Sequence, residues 1–171
     1  LFLHKLKRVE IHNVAGFKPN IIARHDRNNG RVEIEHSDNK QCGKLVRKPL
    51  EVLETIREEK REGVKETDLT LAFPLEANGT AHTVTEQQVF AFLPTRSYGF
   101  KFIIQADFLV PSNREDIHKD KTWNTWLRDN IACVFLNAVS EFKQEEQLSK
   151  SYYNYIPLLK EVSDPFFSIA V

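Results

Sequence analysis

The chain has 171 residues, and its 24 basic residues cancel its 24 acidic ones, so the formal net charge at pH 7 is zero. No whole-chain field therefore favours nucleic acid or a charged membrane surface, and no apolar run approaches the roughly 18 residues that span a bilayer. A domain of this size buries about 70% of its unfolded surface and needs no metal or disulfide as a staple. Its two cysteines, Cys42 and Cys133, form no C-x-x-C pair. A reducing compartment is the expectation, and a disulfide between them is the other possibility. No signal peptide opens the chain, and no methionine occurs in it. Residues 1–171 read as a single domain within a longer polypeptide.

From Leu6 to Ile11 apolar and charged residues alternate, the period of a half-buried strand. The basic cluster His4, Lys5, Lys7 and Arg8 reads as the solvated face of that strand, with a phosphate-binding strip as the less favoured alternative. Asn28-Asn29-Gly30 separates the strand-like runs Ile21–His25 and Arg31–Glu35. Asn-Gly supplies the two positive φ angles of a type I′ turn, so this is a hairpin and the first forty residues form an antiparallel meander. Pro49 then opens, and Gly63 closes, a predicted helix over Leu50–Glu62. Its apolar stripe, Leu50, Leu53 and Ile56, is narrow. Glu54 and Glu58, like Arg57 and Arg61, repel at i,i+4, so only one edge is expected on the sheet. Thr67–Leu75 is a strand, with Pro74 marking a sheet edge or a strand end. Asn78-Gly79 is a second hairpin turn, which also accounts for the glycosylation-like Asn78-Gly79-Thr80.

The densest apolar stretch follows. Val89–Leu93 and Phe100–Val110 are rich in aromatic and β-branched residues and predict adjacent strands of a buried sheet, joined by the turn-rich linker PTRSYG. The second run ends in the polar loop PSNRED, which presents Arg114 at a strand's end, where chemistry is commonly kept. Next, Trp123, Trp126, Leu127, Ile131, Val134, Phe135, Ala138, Val139 and Phe142 recur at helical spacing. They predict one long amphipathic helix, capped by Asp120 or Thr122 and carrying Cys133 as a small core residue. Asp164-Pro165-Phe166-Phe167 reads as the capped start of a further helix. The fold class is α+β, a mostly antiparallel sheet with hairpins packed by the long C-terminal helix.

Several chemistries lack their residues. The six glycines never fall within two residues of one another, so no loop can cradle a phosphate with clustered backbone N–H groups. The histidines have no metal-ligand spacing, and no metal site is expected. There is no G-x-S-x-G elbow, and His118, among Asp116 and Asp120, reads as a surface group. Arg96, Tyr98, Phe100, Lys101 and Phe102 mix basic and aromatic residues. Alternation places the last three partly in the core, which disfavours a single-strand nucleic-acid platform.

The phrases FAFLP, YGFKF, QADFLV, NRED and WNTW, in that order, resemble the sacsin and NO VEIN-type proteins, GHKL-superfamily relatives of the heat-shock-90 chaperones. The resembled segment follows the nucleotide-binding lobe, and Leu1–Ile11 loosely matches the phrase that closes that lobe. The resemblance implies a transducer-like middle domain that couples an upstream ATP-binding lobe to conformational change. It also implies a chaperone or scaffold setting with client proteins, an intracellular (cytoplasmic or nuclear) location, and no nucleic-acid or membrane partner. ATP and Mg would be held by the upstream lobe, because neither the D-x-G-x-G turn nor the acidic-to-Asn helix motif of the pocket occurs here. The chain is then no enzyme by itself but a contributor to hydrolysis. Heat-shock-90 chaperones carry a Ser-Arg-Glu phrase whose arginine reaches the nucleotide's terminal phosphate. Asn113-Arg114-Glu115 matches it in Arg and Glu, with Asn113 replacing Ser. By resemblance Arg114 is the catalytic residue, and Arg114 with Asn113 contacts the nucleotide, the guanidinium neutralising charge on a transferring phosphoryl group. The alternative is a non-catalytic protein-interaction domain beside a degenerate ATPase lobe.

Overall fold

The computed structural model describes residues 6–12, 20–37, 39–56, 58–82 and 85–171; the basic pair His4 and Lys5 lies outside them. The strands are β1 (Arg8–Ile11), β2 (Asn20–Asp26), β3 (Arg31–His36), β4 (Asn39–Glu51), β5 (Glu66–Leu75), β6 (Gln88–Ala91), β7 (Leu93–Ser97) and β8 (Ile103–Gln105). They form one eight-stranded sheet in the order β1-β2-β3-β4-β5-β8-β6-β7. Neighbours are antiparallel except β6 and β8, which run parallel. The expected meander is present in β1–β4. At the β2–β3 turn Asn29 and Gly30 adopt φ of 57° and 71°, as an Asn-Gly hairpin requires. Gly30 is required twice over, since a Cβ there would lie 2.5 Å from the Leu45 carbonyl oxygen. Lys7 and Arg8 are exposed and pair with Asp26 and Glu10, the solvated face anticipated for that strand.

Residues 50–62 depart from the predicted helix. β4 runs on through Pro49 and Leu50 to Glu51, pairing Leu50 with Thr67, and the segment beyond holds only a 3₁₀ turn, Glu59–Arg61. β3 pairs with β4 only up to Lys44, so Leu45–Glu51 has an open side on which proline is tolerated. The strand buries Leu50, and the repelling like-charge pairs leave little to hold a helix against that ladder. Two further strand expectations shift. The linker PTRSYG is largely β7, which turns back on β6. Of Phe100–Val110 only Ile103–Gln105 joins the ladder, beside β6 as expected, while Phe100, Phe102 and Phe108 are buried as irregular chain. Pro74 lies near the end of β5, as anticipated. The Asn78-Gly79 turn closes onto a single bridge, Leu75 to Ala81.

Alternation along β5 turns Leu69, Leu71, Phe73 and Leu75 to one face, all buried. Against it pack α1 (Thr122–Asp129) and α2 (Ile131–Phe142), followed by the short α3 (Glu146–Ser149). The predicted long helix is thus two helices meeting at Asn130, whose backbone stays in the right-handed helical region (φ −84°, ψ −12°) and whose Nδ2 donates to the Trp126 carbonyl at 2.9 Å. Lys121 occupies the N-cap without a side-chain bond, so neither Asp120 nor Thr122 caps it. The buried stripe is Trp123, Leu127, Ile131, Val134, Ala138 and Phe142. Cys133 is exposed rather than core, because it lies off that stripe. The Asp164 carboxylate accepts from the Phe166 N–H at 3.0 Å, yet the segment it opens is only a turn ending in the 3₁₀ residues Ser168–Ala170. The chain just before Asp164 packs tightly on Gly99 (φ 94°), where a Cβ would meet the Glu161 carbonyl oxygen at 2.0 Å.

Lys44 is buried with its charge. Its Nζ donates to Glu145 Oε1 at 2.5 Å and to the Asn29 carbonyl at 3.0 Å, and Arg31 reaches the other oxygen of Glu145 at 2.7 Å. Burial alone would raise the Glu145 carboxyl, but the bonds from Lys44 and Arg31 outweigh it and hold the group below its ordinary value of 4.5. A depressed carboxyl stabilises the fold above its unfolded pKa, and that contribution is lost as pH falls through the folded value. Acid titration of stability should therefore show a loss below about pH 4.5 that Glu145→Gln makes smaller; equal acid limbs in the two proteins would contradict this. For the core, Phe73→Ala should cost about 3–5 kcal/mol in denaturant unfolding. The half-buried Phe135→Ala should cost clearly less.

Candidate functional site

The loop that follows β8 is tied down at four points. Asn124 lies on α1 with no exposed surface. Its Oδ1 accepts the Leu109 N–H at 2.8 Å, and its Nδ2 donates to the carbonyls of Leu109 and His118, each at 2.8 Å. One amide side chain thus clasps both ends of residues 109–118. Trp123, its neighbour, donates Nε1–H to the Asp107 carbonyl at 2.9 Å. Within the loop the Asp116 carboxylate accepts from Tyr98 Oη at 2.5 Å and from the Ile117 N–H at 2.8 Å. Burial alone would raise Asp116, but these bonds outweigh it and hold the carboxyl below its usual range. Burial, then Asp116, push the Tyr98 phenol up. Arg96 and Lys119 both reach Asp164, at 3.2 and 2.8 Å, joining β7 and the loop to the C-terminal segment.

Arg114 sits at the crest of this loop. The chain reverses over Pro111–Arg114, with the Arg114 N–H on the Pro111 carbonyl at 3.0 Å, and Arg114 has φ 56°, the left-handed region in which few non-glycine residues rest. Asn113 and Glu115 bond to each other, Nδ2 to Oε2 at 2.8 Å and the Glu115 N–H to Asn113 Oδ1 at 3.3 Å. The structure therefore brings Asn113 beside Arg114 but engages its side chain within the loop. The exposed Arg114 guanidinium donates from Nη1 to the Ala91 carbonyl at 3.2 Å. That uses one of its five N–H donors, and it has no carboxylate within ion-pair distance among the described residues.

Ala91 leads into the tip where β6 turns into β7. Phe92 alone reverses the chain there, at φ 63°, a strained state for a bulky side chain that costs about 1–3 kcal/mol. Its N–H is held by Gln105 Oε1 at 3.0 Å. Phe92 lines a groove of about 300 Å³ together with Leu45, Arg47, Asp68, Thr70 and Gln105. Thr70 alternates with the core-facing Leu69 and Leu71, so this groove lies on the sheet face away from the helices. Asp107 also lines it. Burial raises its carboxyl although Arg61 donates to it at 2.6 Å. Among the described residues no cluster of His, Cys, Asp and Glu can hold a metal, and no helix is long and apolar enough to cross a membrane.

Asn124, Gln105 and Phe92 escaped the sequence reading. An asparagine beside a tryptophan on an otherwise apolar face was the available signal, since a buried amide must find partners. Asn124→Ala should cost about 1–3 kcal/mol for the buried groups left unpaired, and hydrogen exchange should quicken at the Leu109 amide that it binds and at the His118 amide, which donates to the Leu109 carbonyl. Unchanged exchange there would mean that the clasp does not order the loop.

No protein-family model matches the chain, and no solved structure matches it. Protein NO VEIN of Arabidopsis thaliana is 31% identical to it over 179 residues, which takes in 99% of this chain and therefore the loop and both helices. The chain spans only 6% of that protein's length. The similarity to that short stretch of NO VEIN runs through the sheet, the clasped loop and the helices alike.

Proposed function

We propose that residues 1–171 are one transducer-like middle domain of a NO VEIN-type GHKL ATPase, the class that sacsin also represents. It couples an upstream ATP- and Mg-binding lobe to conformational change in an intracellular chaperone or scaffold, whose client proteins are its further partners. The observation that carries this reading is Arg114: an exposed guanidinium, without an ion pair among the described residues, on a loop fixed from both ends by Asn124. A positioned cation loses little freedom when an anion arrives, and a planar fork matches a phosphoryl group. Delivered to the terminal phosphate, it acts mainly on charge that redistributes at the transition state. Asn113, bonded to Glu115, shapes the turn and lies next to the same phosphate.

One observation favours a second reading, a non-catalytic interaction domain beside a degenerate lobe. Arg114 already holds the Ala91 carbonyl, so it has a structural use without any nucleotide. The two readings separate in the full-length protein. On the first, Arg114→Ala lowers ATP turnover on the order of a thousandfold with little change in nucleotide affinity, and Arg114→Lys rescues little. On the second, turnover per folded molecule is unchanged and only the melting temperature falls. Arg96→Ala controls for simple loss of positive charge.

A further inference from the structure

We infer that the groove beside residues 51–66 docks a basic segment of a partner protein, which lays an apolar side chain on Leu53 and its lysines or arginines along a rim of glutamates. The groove has a volume of about 1010 Å³. The Val52 N–H donates to the Lys65 carbonyl at 2.9 Å and the Val64 N–H to the Arg61 carbonyl at 3.1 Å, so the segment closes on itself ahead of any partner. Val52, Ile56 and Val64 are half-buried against the core, while Leu53 beside them is 57% exposed. An apolar floor that ends in an exposed leucine gains when a partner covers it.

The rim selects the occupant. Glu51, Glu54, Glu58, Glu59, Glu62 and Glu66 line the groove, against Arg61 and Lys65. Glu58 is taken by Lys121 at 3.5 Å and Arg61 by Asp107 at 2.6 Å. The other glutamates have no ion pair among the described residues. Like charges gathered along one wall repel each other. A cationic partner relieves that repulsion, and polyanions are turned away. Among the described residues no cluster of carboxylates can hold a metal ion, so the charge is spread out and suits an extended polycation.

Glu66 also lines the smaller groove of about 300 Å³, where Arg24 and Arg47 are matched by Asp26 and Asp68. There Thr70 is 7% exposed, and its hydroxyl has no hydrogen-bond partner among the described residues. A polar group so deeply placed ordinarily has a partner, and the ammonium of a lysine reaching past Glu66 supplies one. Asp107, whose carboxyl burial raises, gains from a second cation as well.

The test is fluorescence anisotropy of the full-length protein with a short fluorescein-labelled peptide of alternating leucine and lysine, beside its leucine–glutamate counterpart. The basic peptide should bind saturably with a Kd of about 1 μM, more weakly as salt screens the rim, and the acidic one not at all. The double variant Glu54→Lys with Glu62→Lys should weaken binding about tenfold or more. Leu53→Ser and Thr70→Val should each weaken it severalfold. Glu54, Glu62 and Leu53 are exposed, so their variants should keep the melting temperature of the parent. No binding of the basic peptide, equal binding of both peptides, or unchanged affinity in any of the three variants overturns the inference. Displacement of the peptide by an equal concentration of free lysine also overturns it, since the site would then take small amines rather than a protein segment.

Discussion

Phe73 is the side chain on which the two layers of this protein meet. It projects from near the end of β5 and touches four rings: Phe142 at 4.8 Å edge-on, Tyr155 at 5.1 Å, Phe102 at 5.2 Å and Phe135 at 6.2 Å between centroids. Those rings come from α2, from the irregular chain before β8 and from the C-terminal segment. One aromatic cluster therefore ties together pieces separated by most of the chain. Such pairs contribute about 0.5–1.5 kcal/mol each beyond burial of area. β5 can hold this place because β4 and β8 flank it, leaving its alternating side chains no freedom of register.

From that core outward the protein changes its means of fixing structure. The loop bearing Arg114 is held mainly by hydrogen bonds from side chains to backbone: Asn124 to Leu109 and His118, Trp123 to Asp107, Arg114 to Ala91. The bonds from Asn124 and Trp123 are neutral, directional and insensitive to salt, while that from Arg114 carries its charge. Exposed ion pairs such as Arg8 with Glu10 contribute about 0–1 kcal/mol and orient little. A cation that keeps its charge open to solvent needs the former kind of support, because a carboxylate beside it would neutralise it. The absence of an ion pair at Arg114 among the described residues and the neutrality of its supports belong to the same arrangement.

Much of this was legible in the sequence, for reasons that are local. The Asn29-Gly30 turn, the alternation along β5 and the apolar stripe from Trp123 to Phe142 each follow from a few neighbouring residues. What failed depended on distant ones. Leu50–Glu62 carries a helix-like pattern with proline before and glycine after, but the partner strand β5 takes Leu50 and Glu51 into the sheet. Thr95-Arg96-Ser97 reads as a turn, yet it lies where β6 needs an antiparallel neighbour. At the site, Arg114 was visible only through a resemblance to a three-residue phrase. Asn124 was hidden because its worth depends on two carbonyls that folding brings to it.

The bond between Arg114 and Ala91 gives the proposed coupling a physical form. Its donor is ionised, and such bonds contribute about 1.5–3 kcal/mol net when shielded from water, while a phosphate would offer an ionised acceptor as well. If a phosphate comes within reach, the guanidinium gains by turning toward it, and the Ala91 carbonyl loses a donor. Phe92 would then be held by Gln105 alone, in a backbone state that resists it by about 1–3 kcal/mol. Binding at the arginine and relaxation of the tip are thus linked through one residue, and linkage acts equally in both directions.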